Sequence, residues 1–469
     1  MHGVTTREAP TPAFAVRESP SAVPFIVGTA PKGPTNEIEK IGSFKDAAET
    51  FGQRREQDDT YDFTLARFAE IFFQFYGASP AYFVNVLDPS SDTSSVTAEN
   101  QTFEDGLLRA ANAHLEDGSV SVTSTGGSPS YTEGTDYEVD LDTGEFTRVD
   151  SGGITAGEQV EIDYTYVDSS SIAASDIVGG VNSGSRTGLE LIEEVLPTFG
   201  GIPNLILAPG FSQETSVASV IEGKAGGHSG GFRAHGLVDI DSGDSNFDEV
   251  SEAIQEKGNL TTSPDMTVYW PRVTSGDHTD WLSAHAAGVI ARTDADKGGG
   301  LPYYSPSNES LSVDGTEVTI TRQEAQTLSD NGLVTAFRTG GGTGFVLWNN
   351  NTAAYPSTTD VKDRFIPNSR MATHIANTIV LSVFQKVDDP VNRRLISSVV
   401  TSLNQAFSGW EAQGALLGAT VQFLEQDNPI TDLQAGSITF RLFYAVPTPA
   451  NEIEVVLEVD VGQYEALFQ

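Results

Sequence analysis

The sequence predicts a multidomain protein of mixed α+β and α/β class. It reads as a core domain formed by N- and C-terminal segments, an inserted α/β domain and a small all-β insertion. Three observations predict this. Short apolar runs alternate with helically spaced segments over residues 23–90 and again over 188–270. Between them the chain turns rich in Ser, Thr and Gly and takes on period-2 alternation. From residue 369 onward, two long helical stripes precede two alternating strands. The 469 residues suit about three domains at roughly 150 residues each.

Residues 1–21 carry three prolines and no helical period, which predicts an extended arm. Val23–Thr29 reads as a buried strand closed by Pro31 and Gly33. Ser43 then caps a short amphipathic helix through Phe51, which Gly52 stops. Leu65, Phe68, Ala69, Phe72, Phe73 and Tyr76 recur at helical spacing, and Ala81–Leu87 is a second apolar strand. Within 88–178, Asp142-Thr143-Gly144 joins two alternating runs, a hairpin signal. Helices over 189–196 and 216–225 and strands over 204–208, 234–240 and 266–270 restore the α/β pattern. Met371, Ile375, Ile379 and Val383 form one helical stripe, and Leu395, Val399, Leu403 and Phe407 lie on a second. Ile438, Phe440, Leu442 and Tyr444 share one strand face. Ile453, Val455, Leu457 and Val459 share another, opposite Glu452, Glu454 and Glu458.

Composition excludes several functions. Without Cys, disulfides, thiolate catalysis and iron–sulfur clusters have no ligands. The longest apolar runs fall short of the roughly 18 residues of a membrane span, and the first ten residues show no secretory h-region. A net charge of −39 repels phosphate backbones and anionic lipid heads. With 18 Arg against 8 Lys, the acidic excess suits a protein of high salt, where self-repulsion is screened. An ordinary acidic protein is the plainer alternative.

The motifs favour no enzyme. Gly227-His228-Ser229-Gly230-Gly231 matches a nucleophile elbow, yet it follows a helical segment and precedes a strand, the reverse of the required context. Asp239, Asp241, Asp244 and Asp248 miss the EF-hand spacing and read as a solvated acidic loop. His278, Asp280 and His285 are a sparse metal set without H-E-x-x-H. A basic stretch does stand apart. Residues 362–410 are net +3, from six basic and three acidic side chains, whereas 88–178 carry two basic and nineteen acidic ones. Internal salt bridging explains such a stretch as readily as a face turned to an acidic partner.

Phe25-Ile26-Val27-Gly28-Thr29-Ala30-Pro31-Lys32-Gly33-Pro34, Ala81-Tyr82-Phe83-Val84 and the run from Thr352 to Asp363 resemble the contractile-tail sheath family of phages and injection systems. The resemblance continues through Gln385-Lys386-Val387-Asp388, Asn392-Arg393-Arg394-Leu395-Ile396, Gly414-Ala415-Leu416-Leu417-Gly418 and Asp427-Asn428-Pro429. It implies an arm over 1–21, a core domain of 22–87 with 345–469, a β-rich insert over 88–178 and a middle domain over 179–344. It further implies copies stacked as six-fold rings around an inner tube, with baseplate and tail-terminator partners and no cofactor, nucleic acid or membrane insertion. The particle is a virion tail or an injection device assembled in host cytoplasm, and the acidity points to a haloarchaeal source. A surface-exposed β-rich adhesion module is the alternative reading. Inter-subunit strand exchange is expected at Val4, Phe14, Val16, Ile453, Val455, Leu457 and Val459. Inner-tube contact is expected at Lys386, Arg393 and Arg394, with Arg394 nearly opposite its helix's apolar stripe.

Overall fold

A computed structural model describes residues 13–52, 63–340 and 344–461. Its centre is an eight-stranded sheet in the order Ile38–Ile41, Ala81–Asn85, Pro24–Gly28, Leu205–Leu207, His235–Asp239, Met266–Tyr269, Leu333–Arg338 and Phe345–Trp348. The six inner strands run parallel and the two edges antiparallel. Parallel strands covered on both faces need apolar residues at every position, and Pro24–Gly28 is buried throughout. Ile26, Phe83, Leu205, Leu237 and Val334 face one layer, which includes the helices Phe44–Phe51 and Leu282–Asp296. Phe25, Val84, Ile206, Val238 and Val268 face the other, with Thr215–Gly226 and Val250–Leu260.

Local rules account for the element ends. Ser43 Oγ accepts the Asp46 N–H at 3.2 Å, and Gly52, at φ 88°, ends that helix. The 64–75 stretch is α-helical to Ala69 and then widens into a π-helical turn over Glu70–Phe75. Its end meets Gly288, where a Cβ would stand 2.3 Å from the Tyr76 ring. Only glycine permits that approach.

One grouping differs from expectation. Pro24–Gly28 shares its sheet with the middle region as well as with Phe345–Trp348, because it is hydrogen-bonded to Leu205–Leu207 as well as to Ala81–Asn85. Strands between residues 24 and 85 therefore share one sheet with strands between 205 and 348. Residues beyond 366 form a module of their own: helices Ile366–Val383 and Arg393–Ala412, and a hairpin of Gly418–Gln422 with Arg441–Ala445. Its core gathers Met371, Val399, Leu403, Phe407 and Trp410.

The insert has its own core of Phe103, Phe146, Val160, Ile162 and Tyr164, between a four-stranded and a three-stranded sheet. Tyr137–Asp140 and Glu145–Arg148 form the hairpin around Gly144. Ile177 packs into the body core, so the all-β part stops before the Ala174–Val178 helix.

Candidate assembly surfaces

Open parallel sheets bind ligands where the strand order reverses, at the carboxyl ends of the strands. Here that point lies between Pro24–Gly28 and Leu205–Leu207, and side chains fill it. The Thr29 N–H donates to Thr64 Oγ1 (3.1 Å) and the Thr64 N–H to Thr29 Oγ1 (3.2 Å). Arg67 and Asp280 form a buried bidentate pair at 2.7 Å beside Trp281 and Pro209. The residual cavity is about 10 Å³. Burial alone would raise the Asp280 pKa, but hydrogen bonds from Arg67 and His285 hold it well below the usual carboxylate range. The crevice is a structural core.

The other chemical motifs are equally committed. Ser229 Oγ donates to the Ile192 carbonyl, while the Glu193 carboxylate accepts the Ser229 N–H and Lys224. Burial pushes His228 down to about 4. Glu193 thus pins a tight turn, in which His228 Nδ1 lies 3.1 Å from Ser229 Oγ. Asp239 is buried and accepts from Ser283 and Ser212, whereas Asp241 and Asp244 bond backbone N–H groups of their own loop. The four aspartates do not converge. Asp280 belongs to Arg67, Ser275 and His285. Among the described residues no cluster of three metal-ligating side chains occurs.

What remains are surfaces. Residues 14–21 form a strap across the C-terminal module. The backbone N–H groups of Phe14, Arg17 and Ser19 donate to the hydroxyls of Ser402, Ser382 and Thr378 at 2.8, 2.9 and 3.1 Å. Arg370 reaches the Ser21 carbonyl while bidentate to Asp294, and Trp410 Nε1 donates to Glu18. Thr378 and Ser382, one helical turn apart, read alternate residues of an extended chain. Each such bond contributes about 0.5–1.5 kcal/mol. Phe14 and Val16 pack against the C-terminal core. The reason is local: the hydroxyls offer their backbone partners and the helix pair offers an apolar seat. Val4 lies outside the described residues.

At the other terminus, Ile453, Val455, Leu457 and Val459 are 73–91% exposed and belong to no strand of their own chain. The hairpin beside them has one covered and one open edge. Ala419 N–H donates to Glu411, and Asn404 takes both backbone groups of Val421, so the Gly418–Gln422 edge is occupied. Among the described residues no strand pairs with the outer edge of Arg441–Ala445. The Arg441–Ala445 strand lies within the alternating run expected over 438–444; its hairpin partner Gly418–Gln422 was not foreseen from the sequence.

The basic stretch divides. Lys362 pairs with Asp363, Arg370 with Asp294 and Lys386 with Asp389, while Arg364 stacks on Tyr355 and Phe365. Lys386 also sits 5.6 Å from the Phe14 ring centroid. Arg393 and Arg394 are exposed in the first turn of their helix, and no ion pair holds either among the described residues. Exposed Phe384, Val387 and Val391 adjoin them in sequence.

A family model described as a protein of unknown function matches residues 88–176, the insert. The tail sheath protein of Burkholderia phage BcepMu is 31% identical, over 98% of this chain and 96% of that one. A putative prophage major tail sheath protein of Pseudomonas aeruginosa is 26% identical over 61% of this chain and 72% of its own. In fold, the chain is similar to the PVC sheath complex of an extracellular contractile injection system in its contracted state. That likeness has a TM-score of 0.63 at 16% identity, over 99% and 98% of the two chains. The contracted helical sheath of the anti-feeding prophage gives 0.61 at 19%, over 98% and 99%. With a near full-length relative at 31% identity and a shared sheath fold, the chain belongs to the contractile tail sheath family, a family of structural proteins.

Proposed function

We propose that this chain is the repeating subunit of a sheath whose copies stack as six-fold rings around an inner tube and shorten to drive that tube through a target envelope. The observation that carries the reading is an apolar tail face with no cover among the described residues, following in sequence a hairpin edge with which no described strand pairs. A tail laid on that edge in a neighbour gains ladder hydrogen bonds and buries four aliphatic side chains. That burial is worth on the order of 6 kcal/mol or more before ordering costs. Such a link survives rotation of the bodies it joins. On the arm, the exchanged part lies before Ala13 and includes Val4, with Phe14 and Val16 as its anchor.

Lys386, Arg393 and Arg394 turn to the tube in this reading. Cations at the positive end of a helix cost about 0.3–1 kcal/mol each, a cost that an acidic partner relieves. Baseplate and tail-terminator proteins close the two ends of the polymer. The particle is a virion tail or an injection device assembled in host cytoplasm, and the charge of −39 supports high salt and a haloarchaeal source. Among the described residues no helix is long and apolar enough to cross a membrane.

Negative-stain microscopy across a salt series tests the reading. Hollow cylinders are expected at molar salt, where the Debye length is roughly 3 Å, and dispersed subunits at low salt. Monomers at molar salt and high protein concentration would sink it.

The insert projects outward in this reading, since nineteen acidic side chains suit a solvated exterior. Asp168 N–H donates to the Asp92 carbonyl at 2.9 Å, so Asp92 and Asp168 can be joined directly. Deleting residues 93–167 should leave cylinders intact in the same microscopy, with a narrower outer diameter. Loss of cylinders would place the insert in the lattice.

A further inference from the structure

Pro10-Thr11-Pro12-Ala13 and Pro447-Thr448-Pro449-Ala450 are the same tetrapeptide, one in each terminal segment. The second lines a groove of about 770 Å³ whose other walls include Tyr303, Tyr304 and Trp348. The two tyrosine rings lie 4.6 Å apart, and Tyr303 Oη donates to the Gln413 carbonyl just past the Arg393–Ala412 helix. Tyr304 is 42% exposed. None of the residues lining the groove is charged, in a chain of net charge −39.

Aromatic-lined grooves take proline-rich segments because such segments are already extended and lose little freedom on docking. The volume left beside Pro447–Ala450 falls within the roughly 300–1,000 Å³ of small-ligand sites. The groove thus has the chemistry for this tetrapeptide, holds one example of it along a wall and keeps room for another.

We propose that the groove receives the Pro10–Ala13 segment of a second copy, seated beside Pro447–Ala450 of the receiving chain. The direction of the strap assigns the occupant to another copy. Glu18 bonds Trp410 and Phe14 bonds Ser402, eight residues back along the helix, so the arm travels about 12 Å toward the helix start. The groove lies at the opposite end, past Gly414. The arm of one subunit and the tail of the next therefore pass through one neutral clamp, which sets where both depart. This goes beyond the sheath reading and requires only two copies of the chain.

The test is calorimetric titration of a Thr5–Ala13 peptide into the unassembled full chain at low salt. Saturable binding is expected. It should weaken at least ten-fold when the peptide carries Pro10→Ala and Pro12→Ala, and likewise when the chain carries Tyr304→Ala, an exposed position. Absence of saturable heat, equal binding of the proline-free peptide, or unchanged binding to the Tyr304→Ala chain would each overturn the proposal. Peptide binding is read without assembly, so its failure leaves the salt-dependent cylinders as a separate result.

Discussion

Ending the chain at Asn451 should abolish cylinders while leaving a folded subunit. The removed stretch contributes no strand and no buried side chain among the described residues up to 461. Its loss should change subunit stability by no more than about 0.5 kcal/mol, as surface changes do. Each inter-subunit link, by contrast, loses the face of Ile453, Val455, Leu457 and Val459 together with its ladder hydrogen bonds. The lattice repeats that link at every subunit, so the deficit multiplies along the polymer. Thermal unfolding, size-exclusion and microscopy at molar salt read the two halves separately. Normal cylinders from the shortened chain would refute strand exchange through the tail. Pro447–Ala450 stays in place, so the groove is untouched by this variant.

Reversing Arg393 and Arg394 to Glu together should prevent the sheath from loading onto its tube. The change moves the patch by four charge units, and close interfacial charge pairs couple by about 1.5–7 kcal/mol where measured. The same substitution puts acids at the positive end of the Arg393–Ala412 helix, which favours them by about 0.3–1 kcal/mol each. Subunit stability should therefore hold or rise slightly, which separates a lost contact from a damaged fold. Cylinders formed without tube should be unaffected, and co-sedimentation of sheath with tube should fall to background. Unchanged co-assembly would return both arginines to the solvent surface and send the search for the tube contact elsewhere.

Much of the fold was legible wherever one period ran long enough. The Ser43-capped helix, the strands at 24–28 and 81–85 and the two C-terminal helices follow their apolar spacing closely. The Ile38–Ile41 edge strand escaped notice because IEKI is short and half polar. Helix Leu282–Asp296 escaped because a helix buried nearly all round, rich in Ala, shows no one-sided stripe. The strap escaped because Thr378, Ser382 and Ser402 look like ordinary polar helix residues until an extended chain lies across them.

By itself the sequence determined the class of each strongly periodic segment, the acidic insert, the absence of thiol chemistry and the sheath resemblance. These follow from composition and from short-range spacing, which the chain carries wherever it folds. Only the tertiary structure decided that the first strands join the middle region in one sheet, that Phe14 and Val16 pack on the C-terminal module, and that Asp280 serves Arg67. It also decided that Arg393 and Arg394, of six basic residues, stand with neither an ion pair nor a ring contact among the described residues. Periodicity states that a strand has an apolar face or that a charge is present. It carries no information on which distant segment covers that face or neutralises that charge, because pairing depends on packing between residues hundreds of positions apart.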